Sequence, residues 1–124
     1  EEVVKWEIGF KAEHEGKIIG FYLLGERKLS AAIAAENAVP NEDLSKYDSM
    51  QGIEGVALGV IPEFRKTGLT QQLKRTVKSI PGLQFMYGMQ YKSLGNLTYW
   101  LHSRRLVAES FTAEPVYITL EDIE

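Results

Sequence analysis

A short basic loop carries the residue types in this sequence that are best suited to binding chemistry. It reads Arg65-Lys66-Thr67-Gly68-Leu69-Thr70 and lies between an apolar run, residues 53–61, and a segment whose apolar residues have helical spacing. Successive backbone N–H groups of such a loop point outward, and the helix that follows adds the positive end of its dipole. Gly68 leaves room for a ligand to approach the backbone closely. The loop is therefore predicted to bind an anion such as a phosphate or pyrophosphate.

Two other interpretations of this loop compete with anion binding by the backbone. The Lys66-Thr67 pair invites comparison with a Walker A loop, but Phe64 and Arg65 precede the pair and the required glycine is missing. Pro62 also interrupts the loop, so the Walker A interpretation is rejected. The second interpretation stays open: an ordinary connection between a strand and a helix, in which Arg65 and Lys66 are merely solvated.

Glu54 is the second candidate for chemistry, because it is the only carboxylate within the central apolar run. Strand alternation places its side chain with those of Val56 and Leu58. A carboxylate in that position could act as a general base. The alternative is a strand-end glutamate that faces solvent, since Gln51-Gly52 indicate that the strand begins nearby.

A strand–helix–strand unit is required to position these residues. The run 53–61 predicts a strand covered on both faces, and Leu69, Leu73, Val77 and Ile80 predict a helix that ends at Pro81-Gly82. Residues 83–91 predict a second apolar strand. Such a unit gives a pair of parallel strands joined by a right-handed crossover.

The remaining segments predict further strands and two short helices. Residues 3–12, with Trp6, Ile8 and Phe10 on one face, and residues 18–24 predict an antiparallel hairpin with its turn at 14–17. Residues 29–36 predict a short helix with Ser30 as its N-cap, within a long and otherwise irregular connection. A second short helix is predicted at 96–103. The last two strands are predicted at 107–111 and 116–120.

Composition indicates an ordinary globular protein with one domain, residues 1–124. Hydrophobic residues make up 44% of the chain, charged residues 25%, and the net charge of −3 argues against a nucleic-acid partner. There is no cysteine, which excludes disulfides, thiolate metal sites and cysteine nucleophiles, and two histidines make a histidine metal site unexpected. No apolar run is long enough to span a membrane and no signal peptide is visible, so we expect a cytoplasmic protein without a membrane partner.

The order of residues around the loop resembles a known signature. The pattern Leu58-x-Val60-x-Pro62-x-x-Arg65-x-x-Gly68-x-Thr70-x-x-Leu73 is similar to the acetyl-CoA signature of the GCN5-related N-acetyltransferase (GNAT) superfamily. The core of that signature is Gln/Arg-x-x-Gly-x-Gly/Ala, preceded by a strand and a V-x-P turn. Thr70 stands where glycine or alanine is usual, and its side chain would crowd a pyrophosphate slightly.

The resemblance implies an α/β (α+β) fold of GNAT type. Its sheet is mixed and mostly antiparallel, with a central splayed pair of parallel strands and flanking helices. The predicted order of elements matches that fold from its second strand onward. The usual opening strand and the two helices after it are missing from this order, and they are expected to precede residue 1, to be supplied by another chain, or not to exist.

The resemblance also implies a function: transfer of an acetyl group from the cosubstrate acetyl-CoA directly to a primary amine of a small molecule or peptide. Backbone groups of Leu58, Gly59 and Val60 would pair with the pantetheine arm, and the backbone of residues 65–70 would hold the pyrophosphate. Glu54 falls where the histone-acetyltransferase branch carries its general base. The family's catalytic acid is commonly a tyrosine, for which Tyr99 is the nearest candidate; core packing of Tyr99, a role for His102, and no acid at all are the alternatives.

Two rival functions stay open. One is a non-catalytic CoA-binding or regulatory module, since the donor loop is more recognisable than the catalytic acid or the acceptor wall. The other is an interaction domain in which the strand, loop and helix are purely structural. The acceptor is not identified by the sequence, and the oligomeric state is open between a monomer and a homodimer.

Overall fold

The computed structural model describes residues 2–6 and 9–123. Within these residues the chain forms eight strands, three α-helices and three short 3-10 turns. The strands are β1 (Glu2–Trp6), β2 (Gly9–His14), β3 (Lys17–Gly25), β4 (Val39–Pro40), β5 (Gly52–Val60), β6 (Phe85–Tyr91), β7 (Arg105–Glu109) and β8 (Val116–Asp122). The helices are α1 (Leu29–Glu36), α2 (Leu69–Lys78) and α3 (Leu97–Trp100).

The strands form a mixed, mostly antiparallel sheet, as predicted. Their hydrogen-bonded order is β1-β2-β3-β5-β6-β8-β7-β4, and the sheet contains one parallel pair. The pairs β1–β2, β2–β3, β6–β8, β7–β8 and β4–β7 are antiparallel. The predicted hairpin between residues 3–12 and 18–24 is confirmed as β2–β3. Its turn is made by Glu15 and Gly16, both at positive φ.

The chain divides into two compact units. The first comprises Glu1–Gly25 and Gly55–Gly82, and the second comprises Glu26–Glu54 and Leu83–Glu124. Strand β5 contributes its first three residues to the second unit and the remainder to the first. The prediction of one domain over residues 1–124 stays a prediction.

In the first unit, α2 packs its apolar face onto the strands. Leu69, Leu73 and Val77 are fully buried, as their helical spacing predicts. Gly20 of β3 makes this packing close, since a Cβ atom there would lie 3.2 Å from Leu69 and 3.3 Å from Leu73. Helix α2 ends at Lys78, one turn before the Pro81-Gly82 stop signal.

In the second unit, α1 and the 3-10 turn Ser45–Ser49 cover the core. The buried cluster is built from one residue of that turn, two of α1, and the inward-facing residues of β6, β7 and β8. Its members are Leu29, Ala32, Tyr47, Phe85, Tyr87, Val107, Ala108, Ile118 and Leu120. Burial of these apolar side chains is the main favourable contribution to folding in this unit.

Two sequence predictions about the first half of the chain are wrong. Residues 3–12 are not one strand but belong to two antiparallel ones, β1 and β2. At the break, a Cβ atom on Gly9 would collide with the carbonyl oxygen of Tyr22, which only glycine avoids. The predicted burial of Trp6 and Ile8 is not scored, because Ile8 lies outside the described residues and only the backbone of Trp6 is described. The N-cap of α1 is Lys28 rather than Ser30, and no side chain caps it.

The strand β5 was also predicted to be covered on both faces, and this is wrong. Most of its residues are half-buried, and Val56 is 56% exposed. Burial on both faces within this chain therefore does not explain why residues 53–61 are apolar. The short helix predicted at 96–103 is shorter in the structure, Leu97–Trp100, and Leu101 lies exposed after it.

Candidate functional site

The candidate donor loop begins where β5 ends, in the first unit. The backbone N–H of Ile61 donates to the carbonyl of Ile19 at 2.9 Å, and a 3-10 turn, Pro62–Phe64, follows. The side chain of Arg65 folds back, and its Nε donates to the carbonyl oxygen of Val60 at 3.0 Å. This bond fixes Arg65 beside the last residue of the strand.

A second set of contacts holds the loop from within and from the neighbouring hairpin. The hydroxyl of Thr67 donates to the carbonyl of Phe64 at 2.7 Å. The ring of Phe64 meets the imidazole of His14, at the tip of the β2–β3 hairpin, with 5.2 Å between ring centroids. These contacts give the loop a defined shape.

The N-terminus of α2 follows directly. Gly68 is its N-cap with φ of 87°, a left-handed conformation that glycine adopts without strain, and no side chain caps the helix there. The first N–H groups of an α-helix have no partner within the helix, so this end presents uncapped donors and the positive end of the dipole. A Cβ atom on Gly68 would meet no described heavy atom within 4 Å, so the space in front of the cap is open.

The predicted donor residues divide by how their side chains are placed. Arg65, Lys66, Thr67 and Gly68 are exposed, Thr70 is half-buried, and Leu69 is buried in the core, so only the backbone of Leu69 could contact a ligand. Upstream, Leu58, Gly59 and Val60 are half-buried in β5. The Val60 carbonyl is already an acceptor for Arg65, so a ligand pairing there would share or displace that bond.

A largely apolar groove of about 470 Å³ opens beside the end of β5. Residues of β3 and β5 form its walls, and Arg65 contributes the only charged group of its lining. The ring of Phe21 lies against Gly59 in this groove, where a Cβ atom would approach it to 2.7 Å. The groove could hold an apolar portion of a ligand whose anionic portion lies at Arg65.

Glu54, in the second unit, is buried and ion-paired. Its side chain is 7% exposed, so the solvent-facing alternative is wrong. Arg27 donates to both carboxylate oxygens, from Nη2 to Oε2 at 2.7 Å and from Nε to Oε1 at 3.2 Å. The hydrogen bond to Glu54 is the main factor that raises the pKa of Arg27. A proton-acceptor role for Glu54 would require Arg27 to release one carboxylate oxygen.

Tyr87 completes a buried cluster with this ion pair. Its hydroxyl donates to the backbone carbonyl of Arg27 at 2.6 Å, and burial, with the negative charge of Glu54, raises the pKa of Tyr87 to about 12. Arg27 Nη2 also lies 3.7 Å from the sulfur of Met89. The sequence pattern did not predict Arg27 or Tyr87 as partners of Glu54. Their partners are distant in sequence, and no spacing rule predicts such pairs.

Tyr99, the candidate acid, lies on α3 in the second unit. Its side chain is 45% exposed, and its ring meets that of Trp100 edge-on at 5.1 Å. Full core packing, one of the alternatives for Tyr99, is therefore wrong. The catalytic role of Tyr99 stays a prediction.

No protein-family model matches this sequence, and no curated protein does either. Solved structures of similar fold are found. Ard1 from Thermoplasma volcanium is 11% identical with a TM-score of 0.64, over 95% of this chain and 72% of that one. A chain of the NatB acetyltransferase complex bound to CoA and MES is 12% identical with a TM-score of 0.62, over 95% of this chain and 74% of that one. GphF, a GNAT-like decarboxylase in complex with isobutyryl-CoA, is 15% identical with a TM-score of 0.62, over 93% of this chain and 77% of that one.

These likenesses show the fold. The chain has the mixed α/β fold of the GNAT acetyltransferases, as the resemblance of its loop implied. Neighbours with this fold are solved with CoA or an acyl-CoA bound, and one of them is a decarboxylase.

Proposed function

We propose that the chain binds acetyl-CoA and transfers its acetyl group directly to a primary amine. The observation that carries this proposal is the uncapped N-terminus of α2 behind Gly68, with exposed Arg65 and Lys66 before it, in a GNAT fold. The arrangement suits a pyrophosphate, because backbone donors, the helix dipole and two cationic side chains all favour negative charge in one place.

The residues present fit the donor. The backbone N–H groups of Gly68, Leu69 and Thr70 would hold the pyrophosphate, and Arg65 and Lys66 would add positive charge. Leu58, Gly59 and Val60 would present backbone groups to the pantetheine arm. The donor supplies an activated acyl group as a thioester, and the residues of the chain would hold that group in position.

Transfer needs a neutral amine nucleophile and two proton movements. The amine nitrogen forms a bond to the thioester carbonyl carbon, the carbon–sulfur bond breaks, and the departing thiolate takes a proton. In this proposal Glu54 accepts the proton of the amine after Arg27 yields an oxygen, and Tyr99 supplies the proton to the thiolate. No cysteine is available for an acyl-enzyme, which fits direct transfer.

Calorimetric titration of the folded chain with acetyl-CoA tests donor binding. A matched pair of variants locates the site: Gly68→Glu and Gly16→Glu. Both glycines have positive φ, 87° and 78°, and at both a Cβ atom meets nothing within 4 Å, so strain and added charge are equal. We expect Gly68→Glu to weaken acetyl-CoA binding more than tenfold and Gly16→Glu to leave it unchanged. Absence of binding to the unaltered, folded chain at millimolar donor would reject the proposal.

A non-catalytic CoA-binding module is a second candidate, and one observation favours it. Both oxygens of Glu54 already accept hydrogen bonds from Arg27, as expected for a structural ion pair. An assay that detects free CoA with a panel of amines separates the two candidates. Release that requires an amine and is lost in Glu54→Gln supports transfer, whereas donor binding without amine-dependent release supports the module.

A further inference from the structure

A second, smaller cavity lies in the second unit, apart from every residue proposed to bind the donor. It is a partly open cleft of about 230 Å³ between α1 and the segment that precedes β5, and Asp48 in its lining is exposed. Leu29, Ile33, Pro40 and Leu44 give it an apolar lining, and Ser30, Ser45 and Asp48 supply its polar groups. Its volume is below the roughly 300–1,000 Å³ of pockets for drug-sized ligands, so it suits a small molecule.

The charge of this cavity comes from one carboxylate. Among the charged residues of the same segment, Glu42 is held by Arg105 at 2.8 Å, and Asp43 accepts the backbone N–H of Ser45 at 2.9 Å. Lys46 lies over the ring of Tyr47, 5.2 Å from its centroid. Asp48 is different: within residues 9–123 it forms no ion pair with a lysine or arginine.

An apolar cavity with one uncompensated carboxylate and two hydroxyls selects a particular ligand chemistry. The apolar lining favours a hydrocarbon body, because its removal from water is favourable. The carboxylate favours a cation, and the serine hydroxyls can accept further N–H bonds from an ammonium group. We propose that this cavity binds a small primary amine with an apolar body, its ammonium group at Asp48.

The proposal is tested by titrating the full chain with hexylamine and with 1-hexanol, followed by the backbone amide signals in NMR spectra. Hexylamine is expected to bind with a dissociation constant on the order of millimolar, as for a ligand of few heavy atoms. The shifted signals should be those of the cavity, around Leu29, Ile33 and Leu44. The alcohol should bind at least fivefold more weakly, since it lacks the charge.

Two variants locate the charge contact. Asp48→Asn should weaken hexylamine binding about fivefold, the effect of losing one partly exposed ion pair. Asp43→Asn is the matched control, because it removes an exposed carboxylate of the same segment that does not line the cavity, and it should leave the affinity unchanged. Equal affinities for amine and alcohol, equal effects of the two variants, or shifts located elsewhere would each overturn the proposal. Acetyl-CoA titration is independent of these measurements, so either proposal can fail alone.

Discussion

At the scale of single residues, the pairing of Glu54 with Arg27 decides how any substitution there must be interpreted. Glu54→Gln leaves the guanidinium without its ionised partner. Because Arg27 is 34% exposed, we expect a loss of about 1–3 kcal/mol in the free energy of unfolding, below the ~3–5 kcal/mol of a fully buried pair. Urea unfolding measures this loss.

The double variant Glu54→Gln/Arg27→Met is the control for that prediction. It removes both charges, so it should recover part of the stability that Glu54→Gln loses, because no buried charge is left unpaired. If the double variant is as unstable as the sum of the two single variants, the ion pair does not couple the two residues. Loss of amine acetylation in a Glu54 variant is informative only where that variant is still folded.

Tyr87 allows a prediction about alkaline pH. Its folded-state pKa of about 12 is above the unfolded value of about 10, so the folded state keeps the proton longer. Tyr87 thus contributes stability that is fully present below pH ~10 and is lost as pH rises toward ~12. Ultraviolet titration of the phenols should show a late component that disappears in Tyr87→Phe. A Tyr87→Phe titration indistinguishable from that of the original chain would contradict the assignment.

At the scale of elements, α1 begins without a capping side chain. Lys28 occupies the N-cap in an extended conformation, φ −66° and ψ 146°, which suits Ser, Thr, Asp or Asn. Lys28→Asp should therefore stabilise the protein by roughly 0.5–2 kcal/mol, measured by thermal unfolding. Lys28→Ala removes the same lysine without adding a cap and should give no such gain. A gain of equal size in both variants would show that the charge of Lys28, not the missing cap, is responsible.

Arg105 joins the segment before β5 to the last strands of the second unit. It donates to Glu42 at 2.8 Å, to Asp122 at 2.6 Å and to the hydroxyl of Tyr47 at 2.8 Å. Burial opposes ionisation of Asp122, but hydrogen bonds from Tyr47 and Arg105 outweigh it and lower the pKa of Asp122. This contribution to stability is present above the unfolded pKa of about 3.9 and is lost as pH falls below it.

The corresponding measurement is the dependence of the unfolding midpoint on pH between neutrality and strong acid. Asp122→Asn should lower stability at neutral pH and should flatten the decline below pH ~4, since it removes one group that must be protonated. Glu114 is an exposed glutamate in the turn before β8. Glu114→Gln should change neither the stability at neutral pH nor its decline in acid. An unchanged acid slope in Asp122→Asn would show that Arg105 does not depend on this carboxylate.

At the scale of the whole molecule, the sequence predicted what depends on local pattern. The apolar spacing of Leu69, Leu73 and Val77 predicted α2 and its buried face. The pattern could not show that residues 3–12 belong to two strands, because Trp6, Ile8 and Phe10 keep the alternation of a single strand. Arg27 and Glu54 are likewise brought together only by the fold.

The distribution of charge over the whole chain leads to a prediction about donor binding. The protein carries a net charge of −3, yet Arg65, Lys66, Lys74, Arg75 and Lys78 are concentrated in the loop and α2. If the local cations dominate, affinity for polyanionic acetyl-CoA falls as salt shortens the Debye length from about 30 Å at 0.01 M to about 8 Å at 0.15 M. If the net charge dominates, salt screens a repulsion and affinity rises.

We expect the first outcome, because the interaction of a bound phosphate with cations within one Debye length outweighs that with distant acidic groups. Lys66→Ala should weaken acetyl-CoA binding and reduce the salt dependence, since it removes an exposed cation of the loop. Lys17 is an exposed lysine beside the turn of the β2–β3 hairpin in the same unit. Lys17→Ala changes the net charge by the same amount, and it should change neither the affinity for acetyl-CoA nor its salt dependence. Equal effects of the two variants would mean that net charge, and not the loop, governs the attraction of the donor.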